Sequence, residues 1–307
     1  RDAELVAPFQ ADVEIGDRDQ LHSILRKLWD AGIPHVRFLP AAEVSDDRLV
    51  QAVEWAEDLG MIAGVRAPAT RLMAADHIER IAAVGVDYVL APWAVDPALH
   101  ARWFGESDLS CLADLNRSAR ELEVTPVVEI PLLETSVDAL NERWTQLVDW
   151  RISHVEVYAI ARVDSEHEPD RRGLGEGAPQ DPLDAPQLRQ LAAWVEESAD
   201  HHAIQVTWLP PVGVIAGASI KDSADRGPRT GGDVAIRVLP NGDVLPPRGM
   251  NRPAGNLLAD RWEQIWSSDV FRRFRERVEA NTRCDQCPGL SICTADCPCD
   301  TRGWSHG

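Results

Sequence analysis

The feature that most restricts the fold of this chain is an alternation of amphipathic helices with short apolar strands between about residues 20 and 210. The first helix has four apolar residues at the i, i+3, i+4, i+7 spacing of one helical face: Leu21, Ile24, Leu25 and Leu28. Gly32 follows as a helix stop, and residues 35–39 then form a short apolar strand.

The same helix–strand unit recurs along this region. Further strands are predicted at residues 61–66, 87–93, 126–130, 154–158 and 204–209, each after a helix with periodic apolar residues. Such repetition builds a parallel sheet with right-handed crossovers, either a closed or partial (β/α) barrel or a doubly wound sheet. Because no glycine-rich nucleotide loop follows any of these strands, we favour a barrel.

Several predicted strands carry one charged residue within otherwise apolar sequence: Arg37, Arg66, Glu129 and Glu156. In a (β/α) barrel the inward residues fill the lumen, and the chemistry lies at the carboxyl ends of the strands. These side chains are therefore candidates for orienting a substrate in the lumen. The alternative is an ion-pair network that only fills the lumen, or residues that point outward at strand edges.

Composition indicates an ordinary soluble protein, with 44% hydrophobic and 26% charged residues. No apolar run is long enough to cross a bilayer, and the start has no signal-peptide pattern, so we expect a cytoplasmic protein without a membrane partner. The formal net charge of −19 opposes binding to a phosphate backbone, so we expect no nucleic-acid partner.

Five of the six cysteines lie close together near the end of the chain, with the spacing C-x2-C-x5-C-x3-C-x-C: Cys284, Cys287, Cys293, Cys297 and Cys299. Thiolates grouped in this way, with Gly and Pro to bend the backbone, are typical ligands of zinc or an iron–sulfur cluster. Two disulfides and one spare thiol are the alternative, which suits a secreted chain better than this one.

Between the strand–helix region and the cysteines the pattern changes twice. Residues 211–232 have little periodicity and are predicted to be a linker. Residues 234–245 form a predicted hairpin around Asn241-Gly242, and a short helix with Trp262 and Trp266 follows. We expect three parts: a barrel over residues 1–210, a linker over 211–232 and a cysteine-rich unit over 233–307.

Three consecutive segments of the last part resemble radical SAM enzymes with a C-terminal SPASM or twitch extension. They are the hairpin VAIRVLPNGDVLPP, the tryptophan-bearing stretch AGNLLADRWEQIWSSDVFRRFRE and the cysteine run CDQCPGLSICTADC. The barrel part is similar in layout, with a family-like helix entry at residues 44–49 and GVDYVLAPWAVDPALHARWFG in place of the family's fourth strand and helix. The resemblance implies an α/β protein with a partial (β/α) barrel of the radical SAM type, followed by a small SPASM-like α+β extension.

The resemblance also implies a chemistry. An active member cleaves S-adenosylmethionine (SAM) reductively to a 5′-deoxyadenosyl radical, here with a peptide or small protein as the expected substrate and an electron donor as a possible partner. In the family, a G-G-E-P segment after the strand that corresponds to residues 35–39 holds the methionine amino group of SAM. This chain has Ala41-Ala42-Glu43-Val44 there, so the resemblance assigns SAM binding to Ala41, Ala42 and Glu43, unless Glu43 is an ordinary loop acid.

One departure from the family concerns the C-x3-C-x2-C loop, which holds the SAM-cleaving cluster and follows the first strand. This chain has no such loop before the helix that begins near Gln20, and its sixth cysteine, Cys111, is expected to be a small buried apolar residue. Either the sequence continues upstream of Arg1 with that motif, which we favour, or the protein has lost it. Whether the chain is an enzyme depends on this point.

A second departure concerns the number of clusters. The family's cysteine after the hairpin is replaced by Pro247, which implies one [4Fe–4S] cluster in place of two. Its implied ligands are Cys284, Cys287 and Cys293, with Cys297 or Cys299 as the fourth. Zn²⁺ is the alternative occupant, because four thiolates can also hold zinc tetrahedrally.

A protein of another functional class remains possible on the sequence: a non-catalytic relative whose barrel binds a peptide or a partner and whose cysteine site is structural. A metal-dependent hydrolase barrel has less support. Its histidine candidates, His35 and His154, begin their strands and so lie at the wrong end of a barrel for catalysis.

Overall fold

A computed structural model describes residues 6–16, 20–104, 110–132, 136–161, 185–209, 212–213, 235–245 and 253–272. The strands are β1 (Gln10–Ile15), β2 (His35–Pro40), β3 (Ile62–Arg66), β4 (Tyr88–Pro92), β5 (Thr125–Leu132), β6 (His154–Ala161), β7 (Gln205–Trp208), β8 (Val212–Gly213), β9 (Ala235–Val238), β10 (Asp243–Leu245) and β11 (Gly255–Asn256).

The helices are α1 (Leu21–Asp30), α2 (Asp46–Asp58), α3 (Ala69–Met73), α4 (His77–Ala83), α5 (Pro97–Phe104), α6 (Ser110–Glu121), α7 (Ser136–Asp149), α8 (Ala185–His202) and α9 (Trp262–Trp266), with a short 3₁₀ turn at Ala74–Asp76. In the described part of the chain, no helix combines the length and apolar character needed to cross a membrane.

All these strands join one sheet in the order β11-β10-β9-β1-β2-β3-β4-β5-β6-β7, with β8 paired to the end of β6. The strands from β1 to β7 are parallel to their neighbours, as the strand–helix repetition predicted. β9 joins the other edge of β1, also in parallel, and β10 and β11 continue from it antiparallel. The expected partial (β/α) barrel is thereby confirmed.

The two faces of the sheet differ in chemistry because side chains alternate along each strand. Residues such as Val13, Phe38 and Val65 pack with the apolar stripes of the helices in one continuous core. The register places Asp12, Arg37, Gly64 and Tyr88 in one row on the opposite face. The helices therefore cover an apolar outer face, and the polar face is the lumen.

A buried contact shows how strongly the sheet is curved. Arg37 of β2 donates from Nη2 to Glu156 Oε1 of β6 over 2.5 Å. These strands are four positions apart in the sheet, a separation of about 19 Å if the sheet were flat. Side chains can meet across that span only because the sheet closes around its polar face.

The structure corrects the predicted element list mainly at the start of the chain. Sequence patterns placed the first strand at residues 35–39, but β1 precedes it and completes the edge that β9 covers. Residues 235–245 form the hairpin that was predicted for residues 234–245, with Gly242 at φ 88°. The hairpin continues the barrel sheet through its pairing with β1. Because residues 214–234 lie outside the described residues, the linker and its boundaries stay predictions.

A glycine in the middle of β3 makes room for a ring in the lumen. The Tyr88 ring lies directly over Gly64, and a Cβ at this position would overlap ring atoms of Tyr88. Gly64 is therefore required for close packing, and it allows the Tyr88 hydroxyl to reach Arg37.

We expect Gly64→Ala to destabilise the fold by about 1–3 kcal/mol, the usual cost of overpacking a filled core. Denaturant unfolding of the wild type and the variant measures this difference. The matched experiment places the same change in a Tyr88→Ala background, where the added methyl group has space and should cost much less. An equal cost in both backgrounds would show that the Tyr88 ring is not the obstacle.

Candidate functional site

Arg37 is the centre of the lumen and contacts side chains from three other strands. Besides Glu156 of β6, its Nε donates to the Tyr88 hydroxyl at 3.1 Å and lies 4.0 Å from Asp12 Oδ1 on β1. The side chains of Arg37, Asp12 and Glu156 are 4%, 2% and 7% exposed. Burial alone would oppose the charge of Arg37, but Glu156, Tyr88 and Asp12 together raise its pKa, so the guanidinium stays charged.

Tyr88 and His35 extend this network toward the amino end of the barrel. The Tyr88 hydroxyl accepts a hydrogen bond from Arg37 and lies 2.8 Å from His35 Nε2, so its own proton is donated to a neutral imidazole. Burial and then Arg37 lower the pKa of His35 to about 4, which agrees with the neutral form. Burial raises the pKa of Tyr88 to about 12, so the hydroxyl keeps its proton.

The other charged lumen residues form separate pairs. Arg66 donates to Glu129 at 2.7 Å near the carboxyl end of β3, and Arg237 of β9 pairs with Glu14 of β1. All the predicted lumen candidates therefore lie inside the barrel, joined as Arg37–Glu156 and Arg66–Glu129. A role in orienting substrate stays a prediction.

Sequence reasoning missed several members of this network. Asp12, Glu14 and Gln10 lie on β1, and Gln10 Nε2 donates to Asp12 Oδ1 at 2.8 Å. The signal was present in the strict polar–apolar alternation of Gln10-Ala-Asp-Val-Glu-Ile15, which is typical of a strand with one polar face.

The loop after β2, Ala41–Val44, contains the residues that the family resemblance assigns to SAM. Arg71 of α3 holds this loop by donating to the Ala41 carbonyl at 3.0 Å and the Val44 carbonyl at 2.5 Å. The Ala41 N–H donates to the Ile15 carbonyl at the end of β1. Ala42 and Glu43 remain exposed. The loop therefore presents a carboxylate at the carboxyl ends of the strands, as a site for an ammonium group requires.

The connection between β1 and α1 is where the family's cluster-binding loop is expected. It spans residues 16–20, Gly-Asp-Arg-Asp-Gln, and holds no cysteine. Cys111 lies in α6, half-buried against the apolar core, as expected for a small apolar side chain. The expected position of the motif is thus present within this chain, and it offers no thiolate.

The predicted metal ligands lie outside the described residues: Cys284, Cys287, Cys293, Cys297 and Cys299. Their arrangement stays a prediction. Within the described ranges, no group of three or more His, Cys, Asp or Glu side chains is placed to hold a metal ion.

Comparison with known proteins gives a family match in the C-terminal part of the chain and structural matches over most of its length. Residues 230–288 match the SPASM family model, an iron–sulfur cluster-binding domain, and this match includes Cys284 and Cys287. No curated protein matches the sequence.

Solved structures of similar fold include Streptococcus suis SuiB bound to S-adenosylmethionine, at a TM-score of 0.60 and 16% identity over 94% of this chain and 72% of SuiB. SuiB bound to its precursor peptide SuiA matches at a TM-score of 0.59 and 17% identity, over 94% and 71%. anSMEcpe with bound AdoMet and the Kp18Cys peptide matches at a TM-score of 0.60 and 11% identity, over 96% and 92%. At these identities the likeness concerns the fold.

We expect Arg37→Met to destabilise the protein by about 3–5 kcal/mol, because it leaves Asp12 and Glu156 buried without their cation. Arg80→Met is the matched control, since Arg80 pairs with Asp47 at the exposed surface and its loss should cost about 0–1 kcal/mol. Denaturant unfolding at neutral pH compares the two. Similar losses for both variants would contradict the buried network.

The stability of the fold should fall as the pH decreases from about 6.5 toward 4. The pKa of His35 falls from 6.5 to about 4 on folding, so acid protonates the unfolded chain first and favours it. Burial also lowers the pKa of His77 and His154, which acts in the same direction, and raises the pKa of Glu156, which opposes it. In His35→Gln, unfolding midpoints should depend less on pH in this window. His22→Gln, which changes an exposed residue of α1, is the control and should keep the wild-type slope.

Proposed function

Because this chain combines the partial barrel fold of radical SAM enzymes with a SPASM iron–sulfur domain, we propose that it is an iron–sulfur protein that binds a peptide or small protein and does not itself cleave SAM. The proposal that the chain does not cleave SAM rests on the residues of the β1–α1 connection. The proposal of an iron–sulfur protein rests on the SPASM match and on the cysteine cluster near the end of the chain.

The residues at the β1–α1 connection do not fit the SAM-cleaving cluster. Such a cluster needs thiolate ligands, and residues 16–20 offer Asp, Arg and Gln side chains only. Cys111 cannot replace them, because α6 packs beside β5 on the outer face of the sheet, four strands away from β1. Residues 16–20 and Cys111 therefore provide no ligand set for a radical step.

The C-terminal cysteines fit a single iron–sulfur site. Cys284 and Cys287 belong to the matched SPASM domain, and Cys293 with Cys297 or Cys299 completes a four-thiolate set. When bound, a [4Fe–4S] cluster there would accept or pass one electron, which makes an electron donor a reasonable partner. Zn²⁺ in the same ligands would be purely structural.

A peptide is the proposed ligand because two proteins with this fold, SuiB and anSMEcpe, were crystallised with peptides. Both matches extend over more than nine-tenths of this chain and so include the barrel. The lumen of this chain is lined by charged and hydrogen-bonding side chains, which suits the polar backbone and termini of a peptide.

A radical SAM enzyme that modifies a peptide is the second candidate function, and one observation favours it. The Ala41–Val44 loop is fixed by Arg71 and leaves Glu43 exposed, which would suit the amino group of SAM. SAM binding without cleavage is compatible with the first proposal, so the product of cleavage is what separates the two.

The discriminating experiment incubates anaerobically purified protein with dithionite and SAM and measures 5′-deoxyadenosine. We expect none above the buffer background, together with brown protein that contains about four irons per chain. A fresh yield of 5′-deoxyadenosine would overturn the non-cleaving proposal in favour of the radical enzyme. Colourless protein with one equivalent of zinc would overturn the iron–sulfur assignment.

Cysteine substitutions test the proposed ligand set. Cys284→Ser and Cys287→Ser should each lower the iron content severalfold and remove the broad absorbance near 400 nm, because a cube with one missing thiolate is lost more readily. Cys111→Ser is the matched control and should retain the wild-type iron content, since Cys111 belongs to the barrel core. Iron loss in Cys111→Ser alone would contradict the assignment.

A further inference from the structure

Asp12, Arg37 and Glu156, here called the charge triad, place two carboxyl groups beside one guanidinium in the middle of the lumen. Arg37 faces both carboxylates, at 4.0 Å from Asp12 Oδ1 and 2.5 Å from Glu156 Oε1. All three side chains are more than nine-tenths buried. Burial raises the pKa of Glu156, and a buried carboxylate in a protein is usually balanced by a partner, so ionisation of both acids calls for a second cation.

Two atoms of the triad also lack hydrogen-bond partners. Glu156 Oε2 is a buried acceptor and Arg37 Nη1 a buried donor, and neither has a partner among the described residues. The single Nη2–Oε1 bond joins their side chains, so the unpartnered donor and acceptor belong to adjacent groups. Buried polar atoms of this kind are usually satisfied, and a ligand that carries a donor beside an acceptor would complete both of them.

The neighbouring lumen residues do not supply the missing positive charge. Arg66 is engaged with Glu129, and Arg237 with Glu14. His35 and His154 face the same lumen, but burial and Arg37 lower the pKa of both, so they remain neutral at pH 7. The balancing cation must come from outside this set.

We propose that the charge triad binds the amino terminus of a peptide, with the terminal ammonium donating to Glu156 Oε2 and the first carbonyl oxygen accepting from Arg37 Nη1. This inference deepens the proposed function, on which its choice of a peptide rests. A peptide amino terminus carries one positive charge with a carbonyl acceptor beside it. A lysine side chain lacks that acceptor, and a free amino acid adds a carboxylate that restores the charge imbalance.

Glu156 lies on a strand near one end of the described sheet. In the described sheet, β6 lies next to β7. The strands β7 and β11 are the two ends of the strand order. Glu156 is thus close to the side on which the described barrel is open, whereas Arg37 reaches it from β2 across the lumen.

Alanine amide is the simplest probe, because it carries a free ammonium and one carbonyl without a carboxylate. Isothermal titration of the full, iron-loaded protein should show saturable binding of alanine amide. Acetylation of its nitrogen removes the charge and should weaken binding at least about tenfold, since one partner of a buried charged pair is lost. Equal binding of both compounds, or no saturable binding of alanine amide, would overturn the proposal.

Substitutions assign the binding to the triad. Glu156→Gln keeps the shape of the side chain, removes its negative charge and should weaken alanine amide binding at least about tenfold. Glu14→Gln makes the same chemical change in a neighbouring lumen pair and should bind as the wild type does. Thermal unfolding of both variants verifies that each is folded at the temperature of titration. Equal affinity in the two variants would place any binding outside the triad.

The test of the charge triad and the test of the proposed function can fail independently of each other. Formation of 5′-deoxyadenosine would overturn the non-cleaving proposal and leave the amine titration unaffected. Conversely, failure of the titration would remove the triad as the site and leave the iron content and the peptide proposal as they were.

Discussion

The contact between Arg37 and Glu156 is the interaction on which the barrel's shape depends most clearly. It joins strands that are four positions apart in the sheet, so it exists only because the sheet is strongly curved. Its formation removes two charges from water, which is unfavourable unless the surrounding polar groups compensate. Tyr88 and Asp12 provide that compensation for Arg37, so closure of the sheet and completion of the network depend on each other.

The lumen of this chain differs in character from the core that holds the helices. The outer face of the sheet is apolar and packs against Leu and Ile residues of the helices. This packing stabilises the fold and does not determine which ligand the lumen binds. The inner face is polar, and its members are ordered by hydrogen bonds and by close packing such as Tyr88 over Gly64. A fold of this type can therefore change its inner residues, and so its ligand, while its outer core stays the same.

Much of this architecture follows from sequence patterns. The apolar spacing of α1 and the alternation of strands with helices predicted a barrel, because burying one helix face against a parallel sheet leaves few other arrangements. The charged lumen positions Arg37 and Glu156 were also found, since a lone charge in an apolar strand is unusual. Their pairing could not be predicted, because it depends on curvature and on residues 119 positions apart in the chain. The strand β1, which contains Asp12, was missed because it is short and three of its residues are polar.

The parallel pairing of β9 with β1 has a consequence for biosynthesis. Residues 10–13 emerge from the ribosome more than two hundred residues before their partners at residues 235–238. Until then one edge of β1 has no strand to cover it, and an uncovered edge readily pairs with another chain. Contacts between such distant segments also form slowly. The nascent barrel thus depends on its last-made hairpin for protection, so a premature stop before that hairpin would leave an aggregation-prone sheet.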